Sequence, residues 1–125
     1  MELPTIMLKK DLLSLNLSWV TSDNVALGSL NQSQQKDTKQ TIILLQEVAN
    51  EPTGYANSTF KRWHIEVEMQ IFWALKPRVN IQEQEVSLMR SLLRLGWKVQ
   101  PHNSNHTVDP DTKQTTKTIY LDKEI

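Results

Sequence analysis

His102, His106, Asp109 and Asp111 are the side chains best able, by type, to hold a metal ion. Two histidines spaced this way bind zinc when a helix puts both on one face. Here Asn103, Ser104 and Asn105 lie between them, and Pro101 stands just before. Those residues favour strand or loop, so a polar loop followed by an Asp-Pro-Asp turn is expected and no metal site. Glu66 and Glu68 are two apart and would share one face of a strand. Paired carboxylates can do acid–base work or bind magnesium. A metal nuclease would add a placed lysine, and residues 66–70 offer none. The pair therefore reads as a solvated or interface face. No Gly-x-Ser-x-Gly elbow occurs, and three glycines, Gly28, Gly54 and Gly96, cannot build the usual phosphate-cradling loops. There is no cysteine, which removes thiol catalysis, disulfides and cysteine zinc sites. No catalytic residue, cofactor or metal is expected, and the chain reads as a non-enzyme.

The elements that would carry these residues fit one domain over 1–125, since 125 residues support a single core. Fourteen basic and fourteen acidic residues cancel. Nothing in that balance asks for nucleic acid. Residues 1–10 lack the pattern of a secretory signal, and apolar runs such as 42–45 are too short to span a bilayer. No membrane partner is expected, and the Asn-x-Ser/Thr triplets at Asn16 and Asn57 read as chance.

Pro4 suits a first helical turn, and Leu8, Leu12 and Leu15 fall on one helical face. Residues 28–40 are polar and read as a mobile loop. Residues 41–48 open on an apolar run and read as a buried strand. Residues 50–59 are polar again, with Pro52 and Gly54 as turn residues, and read as an extended excursion between strands. From Trp63 to Trp73 the odd positions are all apolar and the even ones mostly polar. That alternation predicts a central strand with one face on the core. Trp63, Trp73 and Trp97 are then core residues rather than base-stacking platforms. Asn80 caps a helix, with Glu83 three residues on. Val86, Met89 and Leu93 share a face that Leu88, Leu92 and Leu95 widen, and Gly96 stops the helix. Residues 97–99 begin an edge strand that Pro101 weakens, and residues 115–121 form the last strand. The expected fold is α+β: a mixed or antiparallel four-stranded sheet with two helices packed on one face, in the order α-β-β-α-β-β.

Three segments in that order carry a resemblance. They are Met69-Gln70-Ile71-Phe72-Trp73 closing the central strand, Leu95-Gly96-Trp97 closing the helix, and Asp109-Pro110-Asp111-Thr112-Lys113-Gln114 before the terminal strand. With the short opening helix, they make the chain resemble tail terminator, or tail-completion, proteins of long-tailed phages. The branch most similar consists of siphophage and prophage proteins from Gram-positive hosts. Residues 28–39 lie outside the resemblance.

The resemblance implies a structural protein that caps the head-proximal end of the tail tube, stops its elongation and offers a head-joining surface. Its partners would be copies of itself in a hexameric ring, the tail tube protein and a head-completion protein, with DNA only as passing cargo. It would be assembled in the bacterial cytoplasm and end in the virion tail. On that reading Pro52, Thr53, Gly54, Tyr55 and Asn57 are the candidate contacts with a neighbour or the tube. Glu66 and Glu68 would line the lumen or a seam between subunits. The competing readings are another head–tail connector or minor tail protein, a nucleic-acid-binding regulator, and a metal-dependent enzyme.

Overall fold

A computed structural model describes residues 1–101 and 104–125 of the chain. Helix α1 (Pro4–Ser14) begins with Pro4 in its first turn and buries Leu8 and Leu12, one turn apart. A short 3-10 turn leads to β1 (Val25–Leu27), then α2 (Gln32–Lys36), β2 (Ile42–Ala56) and β3 (Thr59–Phe72). Helix α3 (Ile81–Arg94) follows, then β4 (Lys98–Val99), β5 (Thr107–Val108) and β6 (Thr115–Glu124). The strands form one mixed sheet in the order β1-β2-β3-β6-β4, with β5 also on β6. Only β1 with β2 is parallel; the other pairs are antiparallel. The chain is α+β as expected. Among the described residues it has six strands and three α-helices rather than four and two, because β1, β5 and α2 are added.

The core lies on the sheet face that carries Ile43 and Leu45 of β2, Ile65, Val67, Met69 and Ile71 of β3, and Ile119 and Leu121 of β6. Leu8 and Leu12 of α1 and Leu88 and Leu92 of α3 close it. Each such side chain contributes about 1.5–3 kcal/mol when fully buried. This decides the fold against the cost of ordering the chain. The alternation of β3 is therefore realised as expected, from Ile65 to Trp73.

Each of the four tryptophans gives its indole N–H to a side chain of another segment. Trp97 bonds Asp11 Oδ2 at 2.8 Å, which ties the end of α3 to α1. Trp73 bonds Glu85 Oε2 at 2.8 Å inside the core. A buried indole that lacked a partner would forfeit much of what its area contributes.

Helix α3 departs from its expected stripe. Leu88 and Leu92 are buried, but Leu93 and Leu95 are exposed, and the third buried position is Glu85. The helix is rotated so that Glu85 reaches Trp73 and His106 rather than water. Its ends behave as expected. Asn80 Oδ1 accepts from the Glu83 N–H at 3.0 Å. Gly96, at φ +97°, lets the Trp97 N–H reach Leu92 O and its own N–H reach Leu93 O, the paired bonds of a glycine-closed helix end.

The segment 28–40 is not a bare loop. Asn31 and Gln34 form a reciprocal capping box that starts α2. No residue of α2 is buried, so it has no apolar stripe for a periodicity reading to find. The segment lies by the second face of the sheet, where Leu30 and Gln34 share a hollow with Phe72. Ala26, Ile42 and Leu44 are buried on that face.

Residues 50–59 are not a loop either. They are the far ends of β2 and β3, joined through Asn57 and Ser58. Both carry positive φ, 52° and 65°, which a two-residue hairpin turn needs in order to follow the twist of its strands. Asn accepts that region readily and Ser does not, so Asn57-Ser58 lacks the strong turn signature of Asn-Gly. Pro52 sits in β2 beyond the reach of β1, where that edge has no strand to miss its N–H. Gly54 has φ +65°, and Arg62 lies across it: a Cβ there would stand 3.1 Å from Arg62 Nε. No helix among the described residues is long and apolar enough to cross a membrane.

Candidate functional site

The β2–β3 hairpin outruns its neighbours. β1 pairs with β2 only as far as Leu45. β6 follows β3 to His64, and the last backbone bonds join Trp63 and Ile125. Beyond that point residues 53–62 form a two-stranded arm that pairs only with itself. Pro52, Thr53, Gly54, Tyr55 and Asn57 are thus brought together on one structural unit, as strand and turn residues. Phe60 joins them. Tyr55 and Phe60 face each other across the strands with ring centroids 6.5 Å apart, and Phe60 lies edge-on to Trp63 at 5.6 Å. Tyr55 is 69% exposed and Phe60 49%. At the base, Trp63 Nε1 bonds Asn50 Oδ1 at 2.6 Å and Arg62 Nε stands 3.4 Å from Glu124 Oε2. Phe60 and Arg62 were legible only to a reading that paired the strands about Asn57-Ser58.

Glu66 and Glu68 do share a face, the one turned away from the core. Across the ladder Glu68 stands opposite Gln46 and Tyr120, Glu66 opposite Ala49 and Asp122, and His64 opposite Glu51 and Glu124. This makes a mainly acidic surface, with Lys98 opposite Asp122 and Arg62 3.4 Å from Glu124 as cations against it. The Glu68 carboxylate, above all by its charge, pushes the Tyr120 hydroxyl above its ordinary value of 10.0; partial burial, a hydrogen bond to Glu68 and the Glu66 charge act the same way. His64, Glu66 and Asp122 have ligand atoms all within 4.8 Å of one another. Asp122 Oδ1 is shielded from solvent and has no hydrogen-bond partner among the described residues. A nitrogen and two carboxylates are a donor set that divalent transition ions accept. Among the described residues, these three are the group whose spacing would suit a metal ion.

Among the described residues, His106, Asp109 and Asp111 form no metal-holding group. His102 lies outside the described residues. His106 Nε2 is 2.7 Å from Glu85 Oε1, so its ring helps to close the core. Asp109 Oδ1 accepts from the N–H groups of Asp111 and Thr112, at 2.8 and 3.1 Å. Those bonds hold its carboxyl below the ordinary range and form a side-chain-closed turn. Gln114 is buried, and its amide bonds Trp73 O at 3.2 Å. The Leu-Gly-Trp and Asp-Pro-Asp-Thr-Lys-Gln segments therefore close a helix, shape a turn and fasten the end of β3.

The family model described as "Protein of unknown function (DUF806)" matches residues 3–125. The chain belongs to that family. No curated protein matches it. The arm and the acidic face both fall inside the region that defines membership in DUF806. They belong to the matched domain rather than to an appended tail.

Proposed function

We propose that the protein is an assembly subunit of a long-tailed phage, a tail terminator that caps the tail tube and presents a surface to the head. The observation that carries this reading is the arm. A rigid body holds a two-stranded projection whose tip displays Tyr55 and Phe60 to solvent. An isolated pair of strands is at best marginally stable in water, and exposed aromatics are the usual anchors of protein contacts. An arm of this kind gains order by docking on a neighbour. In a ring of identical subunits, that contact would be head-to-tail and close by rotation. The acidic face around Glu66 and Glu68 suits a lumen wall, because like charge keeps passing DNA from adhering. The resemblance of the chain to terminator proteins supplies the identity of the tube.

The test is molar mass by light scattering across a concentration series, alone and with tail tube protein. The expected result is a hexamer, free or seated on tube ends, lost in the Tyr55→Ser, Phe60→Ser double variant while the fold is kept. A monomer that ignores tubes, or a double variant that caps them normally, would overturn the reading.

A further inference from the structure

At the end of the sheet away from the arm, three connecting segments border an open cavity of about 550 Å³. They are the stretch after α1, the stretch before β2 and the stretch after β3. The cavity is lined by Trp19, Asn24, Gln40 and three cationic side chains, Lys39, Lys76 and Arg78, among others, and no carboxylate lines it. None of the three cations makes a side-chain hydrogen bond or ion pair with any described residue. Asp37, close by in sequence, has its Oδ1 engaged by the N–H groups of Lys39 and Gln40. The walls are built rather than loose. Leu75 N–H bonds Thr38 O at 3.0 Å, and Ala74 N–H bonds the buried Thr41 hydroxyl at 3.1 Å. The Asn24 and Gln40 side chains bond each other. Trp19 is braced against Trp73 with centroids 4.6 Å apart, and its N–H bonds Gln84 at 3.2 Å.

Three like charges converging on one hollow repel each other, and in a chain of zero net charge nothing requires them there. The carboxylates that balance them include Glu66, Glu68 and Asp122, on the open sheet face toward the arm. Within the hollow that positive charge faces no lining carboxylate, which favours an anion there. The volume falls in the range of small-molecule sites, and the mixture of apolar wall and a few convergent polar groups is the composition such sites show. A guanidinium matches the paired oxygens of a phosphoryl group, and lysines add point charge.

We propose that this cavity binds a small phosphorylated molecule, its anionic group held by Lys39, Lys76 and Arg78 and its organic body against Trp19. The site stands independently of the terminator reading. It is tested by calorimetry and tryptophan fluorescence with ADP, inorganic pyrophosphate and a short DNA duplex as separate probes. ADP should bind one molecule per chain and change the tryptophan emission, and pyrophosphate should compete for the same site. Lys76→Ala and Arg78→Ala should each weaken both by about tenfold, and Lys98→Ala, outside the cavity, should not. These cations are exposed, so the variants should keep the parent melting curve. Three results would each overturn the proposal: no response to either small phosphate, affinity unchanged in the cavity variants, or binding of the duplex alone.

Discussion

At its Ile42 end the β2–β3 ladder is flanked by β1 and β6 and covered by α1 and α3. At its Asn57 end the same two strands have no flanking strand, and Tyr55 and Phe60 face solvent. The backbone bonds are of one kind throughout. What differs is the apolar area withdrawn from water, which is large at one end and small at the other. Stability is therefore concentrated where Ile43, Leu45, Met69 and Ile71 interlock. The arm is left with a turn, a few ring contacts and the Trp63–Asn50 bond. Regions of low local stability are the ones free to change when a partner arrives.

The largest effect separating the two ends should come from Trp73→Ala. It removes a fully buried ring and strands Glu85, so denaturant unfolding should show a loss of about 3–5 kcal/mol. Tyr55→Ala at the arm should cost about 0.5 kcal/mol or less. Similar losses at the two sites would break the comparison. A smaller effect tests whether the arm is its own unit. Ser58→Gly relieves a left-handed residue and should stabilise the hairpin by about 1 kcal/mol. Amide exchange should then slow in residues 53–62 while the core amides stay unchanged. The smallest effect concerns the acidic face. Tyr120 holds its proton more tightly in the folded chain than in the unfolded one. Its contribution to stability is therefore complete below pH 10.0 and lost as the pH rises through the higher folded value. Glu68→Gln should lower the tyrosinate midpoint read by ultraviolet absorbance; an unmoved midpoint would remove Glu68 as the cause.

Much of the sheet was legible from pattern. The alternation from Trp63 to Trp73, broken at Phe72 and with its odd positions fully buried from Ile65 on, the Asn80 cap and the Gly96 stop are local signals, and each corresponds to a local geometry. The arm was not legible, because Pro52 and Gly54 look like turn residues and Asn57-Ser58 does not look like a hairpin. Pro52 is tolerated there only because β2 has no partner on that side, a fact about sheet order. Helix α2 escaped notice because it buries nothing. Glu85 was hidden in the polar run Gln82-Glu83-Gln84-Glu85, since its role depends on Trp73, twelve residues away in sequence, and on His106.

Residue type and spacing alone determined the α+β class, the single core, the central strand and its acidic outer face. Those properties follow from the short-range periodicity of side chains along a backbone. Only the tertiary structure decided that the acidic face joins His64, Glu66 and Asp122, that residues 53–62 project as an arm, and that Lys39, Lys76 and Arg78 meet in one cavity. The acidic group and the cavity join residues far apart in sequence, and the arm projects because β1 and β6 stop short of it. Their meeting depends on strand order, register and the packing of connections, which no local period encodes.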